Sequence, residues 1–349
     1  MSAYSKEIEV AALAVQRATL LTNAVFHQKV KGTLSKDDKS PVTIGDFGAQ
    51  ALIAQAIKEN FPADEIVGEE EADSLRGNIT LQEEIWKLVQ CAKLEDPEAE
   101  SVLGSPIKSK EAMLDAIDAG NSAGGCKGRI WALDPIDGTK GFLRGGQYAV
   151  CLALIVDGKV KVGVLGCPNL PIDNSIRLDQ TDPKGLGLLF SAIEGHGATS
   201  RPLSRGCLEK SQPISMKPVK DITQAIFCES VEASHSSHSD AAKISKKLGV
   251  HMPPIRMDSQ AKYGSIARGA GDIYLRLPVN ATYQEKIWDH AAGDLIVREA
   301  GGIVTDTLGR QLDFSKGRTL EGNKGVVAAP TTIHSQVLEV VKEILAKTC

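Results

Sequence analysis

The run Trp131-Ala-Leu-Asp134-Pro-Ile-Asp137-Gly-Thr139-Lys140-Gly141 holds two carboxylates three positions apart across a proline-containing turn. The pair closes a short apolar strand read at 129–134, so both acids point into one small space at the strand's end. Like charges held that close repel unless a cation lies between them, and hard carboxylate oxygens suit magnesium. Gly138 permits close backbone approach, and a helix opening after Thr139 would aim free N–H groups at an anion. A metal ion beside a phosphate is the chemistry implied. Read alone, Asp134 and Asp137 serve equally well as caps of a turn.

Three more acids stand in comparable places. Glu69 ends the short strand Glu65-Ile-Val-Gly, Asp46 follows Ser40-Pro-Val-Thr at a helix start, and Asp289 follows Trp288 just before the run Ala291-Ala-Gly-Asp-Leu-Ile-Val. Each by itself reads as a loop acid or a helix N-cap. Together they occupy strand ends and helix starts, where α/β active sites are assembled.

The elements that must position these residues follow from apolar spacing. Ile8, Ala11, Ala12, Val15, Ala18, Leu20 and Val25 predict an amphipathic helix over 7–26. Residues 28–40 are rich in Lys, Asp and Ser and run into Pro41, which predicts an exposed loop or hairpin, expected to act as a mobile cover over the site. Helical spacing resumes over 49–57 until Asn60-Phe-Pro, and 70–128 is polar and helix-prone. Strands at 148–156 and 160–166 are joined by Asp157-Gly158, a hairpin signal. Residues 174–182 and 200–218 read as polar linkers, with Pro218 as the expected domain boundary. Beyond it, strands at 225–228, 271–276 and 325–328 alternate with helical stretches at 237–248, 259–268, 289–299 and 331–346. The expectation is an α/β protein, with an α+β N-terminal domain over 1–218 and an α/β C-terminal domain over 219–349.

Composition narrows the function classes. The 349 residues carry 44 acidic and 40 basic side chains, a net charge of −4, so no broad positive field is available to hold duplex phosphates. Aromatic residues are only 4% of the chain, too few for base-stacking platforms. A nucleic-acid polymer is therefore not an expected partner, while a small nucleotide is permitted. The N-terminal residues look like neither a signal nor a transit peptide, and no run approaches the roughly twenty apolar residues that span a bilayer. Cys91, Cys126, Cys151, Cys167, Cys207, Cys228 and Cys349 are odd in number and lack CxxC spacing, which favours reduced thiols in a cytoplasmic setting over disulfides or zinc. Cys151 and Cys167 sit in apolar runs and read as core residues.

Asp134-Pro-Ile-Asp-Gly-Thr139, followed by Trp288-Asp-His-Ala-Ala-Gly293 and Glu299-Ala-Gly-Gly-Ile303, resembles the two signatures of the lithium-sensitive, magnesium-dependent phosphatases of the inositol monophosphatase type. Within that family the chain is similar to the 3′(2′),5′-bisphosphate nucleotidases of yeast and plants. The matching stretches are Lys39-Ser-Pro-Val-Thr43, Lys140-Gly-Phe-Leu-Arg-Gly145, Cys167-Pro-Asn169, His235-Ser-Ser-His238, Asp258-Ser-Gln-Ala-Lys-Tyr263, Tyr274-Leu-Arg-Leu-Pro278 and Gln284-Glu-Lys-Ile-Trp-Asp289. The likeness fades over 71–127 and 172–220.

The resemblance implies a layered αβαβα sandwich with the site between the two domains. It implies two or three Mg²⁺ ions on Glu69, Asp134, Asp137, Asp289 and the backbone carbonyl of Ile136. Asp46 and Thr139 match the pair that orients and deprotonates the attacking water, and Thr139, His235, Ser259, Lys262, Arg276 and Asp289 match the substrate contacts. The implied reaction is removal of the 3′-phosphate from adenosine 3′,5′-bisphosphate, and from 3′-phosphoadenylyl sulfate, by a monomeric enzyme of sulfur metabolism and salt tolerance that needs no membrane. Competing readings are an inositol mono- or polyphosphate phosphatase, a non-catalytic nucleotide-binding regulator, and a cysteine-based redox sensor. Intact Asp46, Glu69 and Thr139 weigh against the regulator, and scattered thiols without an evident basic neighbourhood against the sensor.

Overall fold

The central strands are apolar on both faces, and this dictates the layering. In the computed structural model, which describes residues 3–28, 33–35, 41–173, 177–180, 186–232, 236–280 and 282–347, a hairpin of β1 (Thr33–Ser35) and β2 (Pro41–Thr43) precedes two sheets. The first sheet has seven strands in chain order: β3 (Glu65–Gly68), β4 (Arg129–Asp137), β5 (Ala149–Val156), β6 (Lys159–Cys167), β7 (Leu188–Ile193), β8 (Ala198–Pro202) and β9 (Gln212–Ile214). Only β3 and β4 run parallel; every other neighbour pair is antiparallel. The second sheet comprises β10 (Phe227–Glu229), β11 (Ile255–Arg256), β12 (Ile273–Arg276), β13 (Gly302–Thr305) and β14 (Val326–Pro330), ordered β11-β10-β12-β14-β13. Its first three strands are parallel, and β14 is antiparallel to both of its neighbours.

Alternation along the strands assigns each side chain to a layer. On β5, Val150, Leu152 and Leu154 join one apolar cluster while Cys151, Ala153 and Ile155 join another. The first cluster is completed by α1 (Ser5–Phe26) and α2 (Ile44–Asn60), which pack on the outer face of the seven-stranded sheet. Beside them α3 (Asp73–Arg76), α4 (Ile79–Cys91), α5 (Pro97–Val102) and α6 (Lys110–Asp118) account for the helix-prone stretch; α7 (Thr139–Arg144) follows β4. The second cluster lies between the sheets and includes α9 (Ala261–Ala267) and α10 (Ala291–Glu299). Small residues let α10 come close: a Cβ at Gly163 would sit 2.9 Å from the Ala292 carbonyl oxygen. A third cluster joins Ile273, Leu275, Val327 and Ala329 to α8 (His238–Leu248) and α11 (His334–Ala346) on the far side. Five layers, αβαβα, result.

Two features depart from the expectation. The stretch 200–218, read as a polar linker, carries the end of β8 and all of β9. β9 is the edge strand, where Pro213 is tolerated, and β8 beside it is only half-buried after Ala198, so the apolar signal is missing from both. The second sheet is mixed, because β14 runs antiparallel to both β12 and β13, and β13 is a strand that the apolar spacing does not announce. Most of the expected cover at 28–40 lies outside the described residues, apart from the β1 pairing to β2.

Candidate active site

The turn after β4 is aimed by an irregularity in the ladder. Asp134 pairs with Cys151 of β5, but the register shifts before Asp137 pairs with Ala149, and such a slip re-aims side chains. The Asp134 Oδ1 atom accepts the Ile136 N–H at 3.1 Å, closing the turn. Gly138 (φ 84°) caps α7 in the left-handed region, and a Cβ there would meet Ser259 Cβ at 3.0 Å. Glycine is thus required twice over, by conformation and by space. The Thr139 hydroxyl donates to the Ile136 carbonyl at 3.2 Å.

Asp289 reaches the same place from a 3₁₀ turn (Ile287–Asp289) ahead of α10. One carboxylate oxygen from each of Asp134, Asp137 and Asp289 lies within 4.8 Å of the others. Burial pushes all three carboxyls up, and neighbouring acids add to it: Glu69 and Asp137 act on Asp134, and Asp137 and Glu69 act on Asp289. Asp137 is pushed up to about 6 by burial, held back by the Lys262 ammonium and by the Gln260 N–H that reaches its Oδ2 at 2.5 Å. Negative charges this crowded and this poor in water fit a divalent cation. Glu69 faces the same cleft from the end of β3, its N–H tied to the Leu133 carbonyl at 3.2 Å. Behind it the buried Gln50 side chain brackets Glu70, receiving its N–H at 3.0 Å and donating to its carbonyl at 2.6 Å.

Asp46 is buried in the first turn of α2. With Thr43 it forms a capping box: Asp46 Oδ2 accepts the Thr43 N–H at 2.7 Å and the Thr43 hydroxyl at 2.6 Å. Its charge also bears on Asp134.

Opposite the acids stands a cationic wall. Ser259 adopts φ 70°, an uncommon conformation for a residue with a side chain. Lys262 is buried, its ammonium bound to the Ser259 and Met257 carbonyls at 2.8 and 3.2 Å and lying 5.2 Å from the Tyr274 ring centre. Burial lowers it to about 8 against the pull of Asp137 and Asp258. Arg276, at the end of β12, donates Nε to Glu285 Oε1 at 2.9 Å. Glu285 Oε2 lies 3.3 Å from His290 Nε2, and His290 Nδ1 lies 2.9 Å from the Tyr263 hydroxyl. Glu285, Asp289 and His290 also converge within 4.8 Å, but both His290 nitrogens already have partners. Acids and cations line one cleft of about 1330 Å³. The structure therefore brings together Glu69, Asp134, Ile136, Asp137, Thr139, Ser259, Lys262, Arg276 and Asp289 along that cleft, with Asp46 buried beside it. His235 lies outside the described residues.

Sequence reasoning passed over three contributors. Gln260 ties the halves together, with its N–H on Asp137, its Nε2 on the Trp288 carbonyl at 2.8 Å and its Oε1 on the Gly293 N–H at 3.0 Å. Glu285 sat unremarked inside a matching stretch. Arg318, in the cleft wall, gave no signal at all: Lys316-Gly-Arg-Thr is also the pattern of a solvated loop.

Comparison with known proteins agrees with this geometry. The inositol monophosphatase family model matches residues 4–346. A 3′(2′),5′-bisphosphate nucleotidase of Emericella nidulans is 66% identical over 348 residues, covering 98% of this chain and 99% of that protein. One of Schizosaccharomyces pombe is 50% identical over 349 residues, covering 99% and 97%. Among solved structures, an IMPase of Thermotoga maritima superposes with a TM-score of 0.62 at 19% identity, covering 98% of this chain and 99% of that one, a likeness of fold alone. The fold, the acidic cleft and the match along the whole chain agree: the chain belongs to the inositol monophosphatase family, a family of metal-dependent phosphatases.

Proposed function

We propose that the chain is a magnesium-dependent phosphatase that removes the 3′-phosphate of adenosine 3′,5′-bisphosphate, giving AMP and phosphate. The observation that carries this reading is the meeting in one cleft of the Asp134, Asp137 and Asp289 carboxylates with Lys262 and Arg276. An acidic cage alone suits any phosphate monoester; fixed cations beside it suit an ester with a second phosphate. The names of the similar proteins support the same substrate.

Glu69, Asp134, Asp137, Asp289 and the Ile136 carbonyl would hold two or three Mg²⁺ ions. Such ions, when bound, lower the pKa of water and neutralise phosphate oxygens. The Thr139 hydroxyl orients the attacking water, and the proton released passes toward the Asp46 carboxylate. Lys262 and Arg276 pair with the phosphate that is not cleaved, while Ser259, His235 and Asp289 position the nucleotide. The same site takes the 3′-phosphate of 3′-phosphoadenylyl sulfate, which places the protein in sulfur metabolism and salt tolerance. Among the described residues no helix is long and apolar enough to cross a membrane; a cytoplasmic monomer acting on small molecules is part of the proposal. So is the division into 1–218 and 219–349, supported by each sheet drawing its strands from one side of Pro218.

Phosphate release over adenosine 3′,5′-bisphosphate, 3′-phosphoadenylyl sulfate, inositol 1-phosphate and inositol 1,4-bisphosphate, with magnesium and with EDTA, tests this. The nucleotides should turn over fastest and EDTA should stop them. Preference for an inositol phosphate, or binding of nucleotide without release, refutes the reading.

A further inference from the structure

Arg318 belongs to neither the acidic cage nor the cationic wall, yet it touches the chain on both sides of the cleft. Its Nη2 donates to the Gly68 carbonyl at 2.6 Å, and its Nη1 to the carbonyls of Gly120 and Ser122 at 3.1 and 2.9 Å. Gly68 is the last residue of β3 and immediately precedes Glu69. The two other acceptors belong to the segment that brackets that strand end, where Gly68 N–H donates to Gly120 O and Ser122 N–H to Ile66 O. All three acceptors are main-chain atoms of the N-terminal half, grasped by one side chain of the C-terminal half.

The same guanidinium is centred 4.9 Å from the Trp288 ring, and Trp288 immediately precedes Asp289. The Arg318 main chain is fixed to this second segment as well, since its carbonyl accepts the Ile287 N–H at 3.2 Å and, two residues on, the Leu320 N–H reaches Glu285 O at 2.8 Å. Glu69 enters the cage from one half of the chain and Asp289 from the other. A planar fork of donors suits this place, because one rigid group can serve several carbonyls and still stack on a ring.

We propose that Arg318 is a positioning residue that sets the separation of Glu69 and Asp289 across the cleft, and so sets the affinity of the cage for a divalent cation. The proposal rests on the cation-binding reading given above. It makes a prediction of definite sign. If Arg318 acted only through its charge, removing it would relieve repulsion of an incoming cation and tighten binding. If it acts by position, removing it weakens binding, and outer-shell supports of a metal cage are worth roughly 10- to 100-fold in affinity.

Calorimetric titration of Mn²⁺ into the full-length protein without substrate separates the two, with Arg318→Met and Arg318→Lys compared to the parent. Affinity should fall about tenfold or more in Arg318→Met. Arg318→Lys, which keeps the charge but loses the fork, should fall nearly as far, while KM for nucleotide at saturating metal stays within about twofold of the parent. Should Arg318→Met fail to fold, Arg318→Lys decides alone. Unchanged or tighter Mn²⁺ binding in the folded variant overturns the positioning role, whereas a parent protein that binds no Mn²⁺ overturns the cation site and the proposal with it.

Discussion

Replacing Arg276 with alanine removes two things at once, and the structure allows them to be separated. One is a phosphate contact proposed for the substrate; the other is the partner of Glu285. The Arg276 and Glu285 side chains are 13% and 9% exposed and meet at 2.9 Å. Burial would raise the Glu285 carboxyl, but Arg276, with help from His290, outweighs it and holds the group down to about 2, from an ordinary 4.5. At about 1.4 kcal/mol per pH unit, that depression corresponds to roughly 3 kcal/mol. A depressed carboxyl contributes stability that is fully present above pH 4.5 and lost as pH falls toward 2, so the whole amount is at stake at pH 7. Breaking a buried pair by removing one partner costs about 3–5 kcal/mol. The expected fall in melting temperature for Arg276→Ala is therefore roughly 4–7 °C, at about 1.4 °C per kcal/mol for a chain of this length. The lost substrate contact, about 1.5–3 kcal/mol, should lower kcat/KM on adenosine 3′,5′-bisphosphate roughly 10- to 100-fold, through KM, and barely alter use of adenosine 3′-monophosphate. The double variant Arg276→Ala, Glu285→Gln removes the orphaned charge. It should regain most of the melting temperature and none of the bisphosphate turnover. Recovery of bisphosphate turnover in the double variant, or equal losses on both substrates in the single one, would show that Arg276 serves only Glu285.

Other outcomes follow from the same geometry. Asp134→Asn and Asp289→Asn should each lose roughly 100-fold or more in turnover, yet melt at higher temperature than the parent in EDTA at pH 7, because each removes a buried, crowded charge; a lower melting point in EDTA refutes the crowding. Since the Asp137 carboxyl is raised to about 6, the folded state holds more protons than the unfolded one between about pH 4 and 6. Metal-free stability should accordingly fall between pH 5 and 7, with magnesium reversing the trend, as thermal scans at the two pH values would reveal. Gly293→Ala would put a Cβ 2.2 Å from the Tyr263 ring; an overpacking loss of about 1–3 kcal/mol is expected by denaturant titration, together with reduced turnover because Tyr263 holds His290. Lithium should inhibit where potassium at equal ionic strength does not, an expectation carried by the family resemblance.

Legibility in the sequence followed apolar content. Val150 to Ile155 alternate between two buried faces, so the run is apolar throughout and reads as a strand. β8 and β9 do not, because Thr199 and Arg201 on β8 are only half-buried and Gln212 lies on the exposed edge strand β9, so no continuous apolar run is demanded there. Asp46, Glu69, Asp134 and Asp289 were visible as acids at the ends of elements, a position that one sequence does encode. Their convergence was legible only through the family resemblance, because spacing along the chain says nothing of how Asp289, ahead of α10, meets the acids of the first sheet. Arg318 shows the limit most plainly: its partners are backbone carbonyls, which every residue possesses, so no complementary side chain announces them.

The helices α9 and α10 lie between the sheets and cover an inner face of each. During synthesis the seven-stranded sheet is complete at Ile214, well before α10 has been made. Until then Ala149, Cys151, Ala153 and Leu165 have no cover from α9 or α10, and a nascent or truncated chain ending near 218 should be prone to aggregation and a client for chaperones. The cage closes only when α10 docks, since Asp289 arrives with it. Cation binding during refolding should thus appear in the last kinetic phase, making the metal a reporter of when the chain has finished folding.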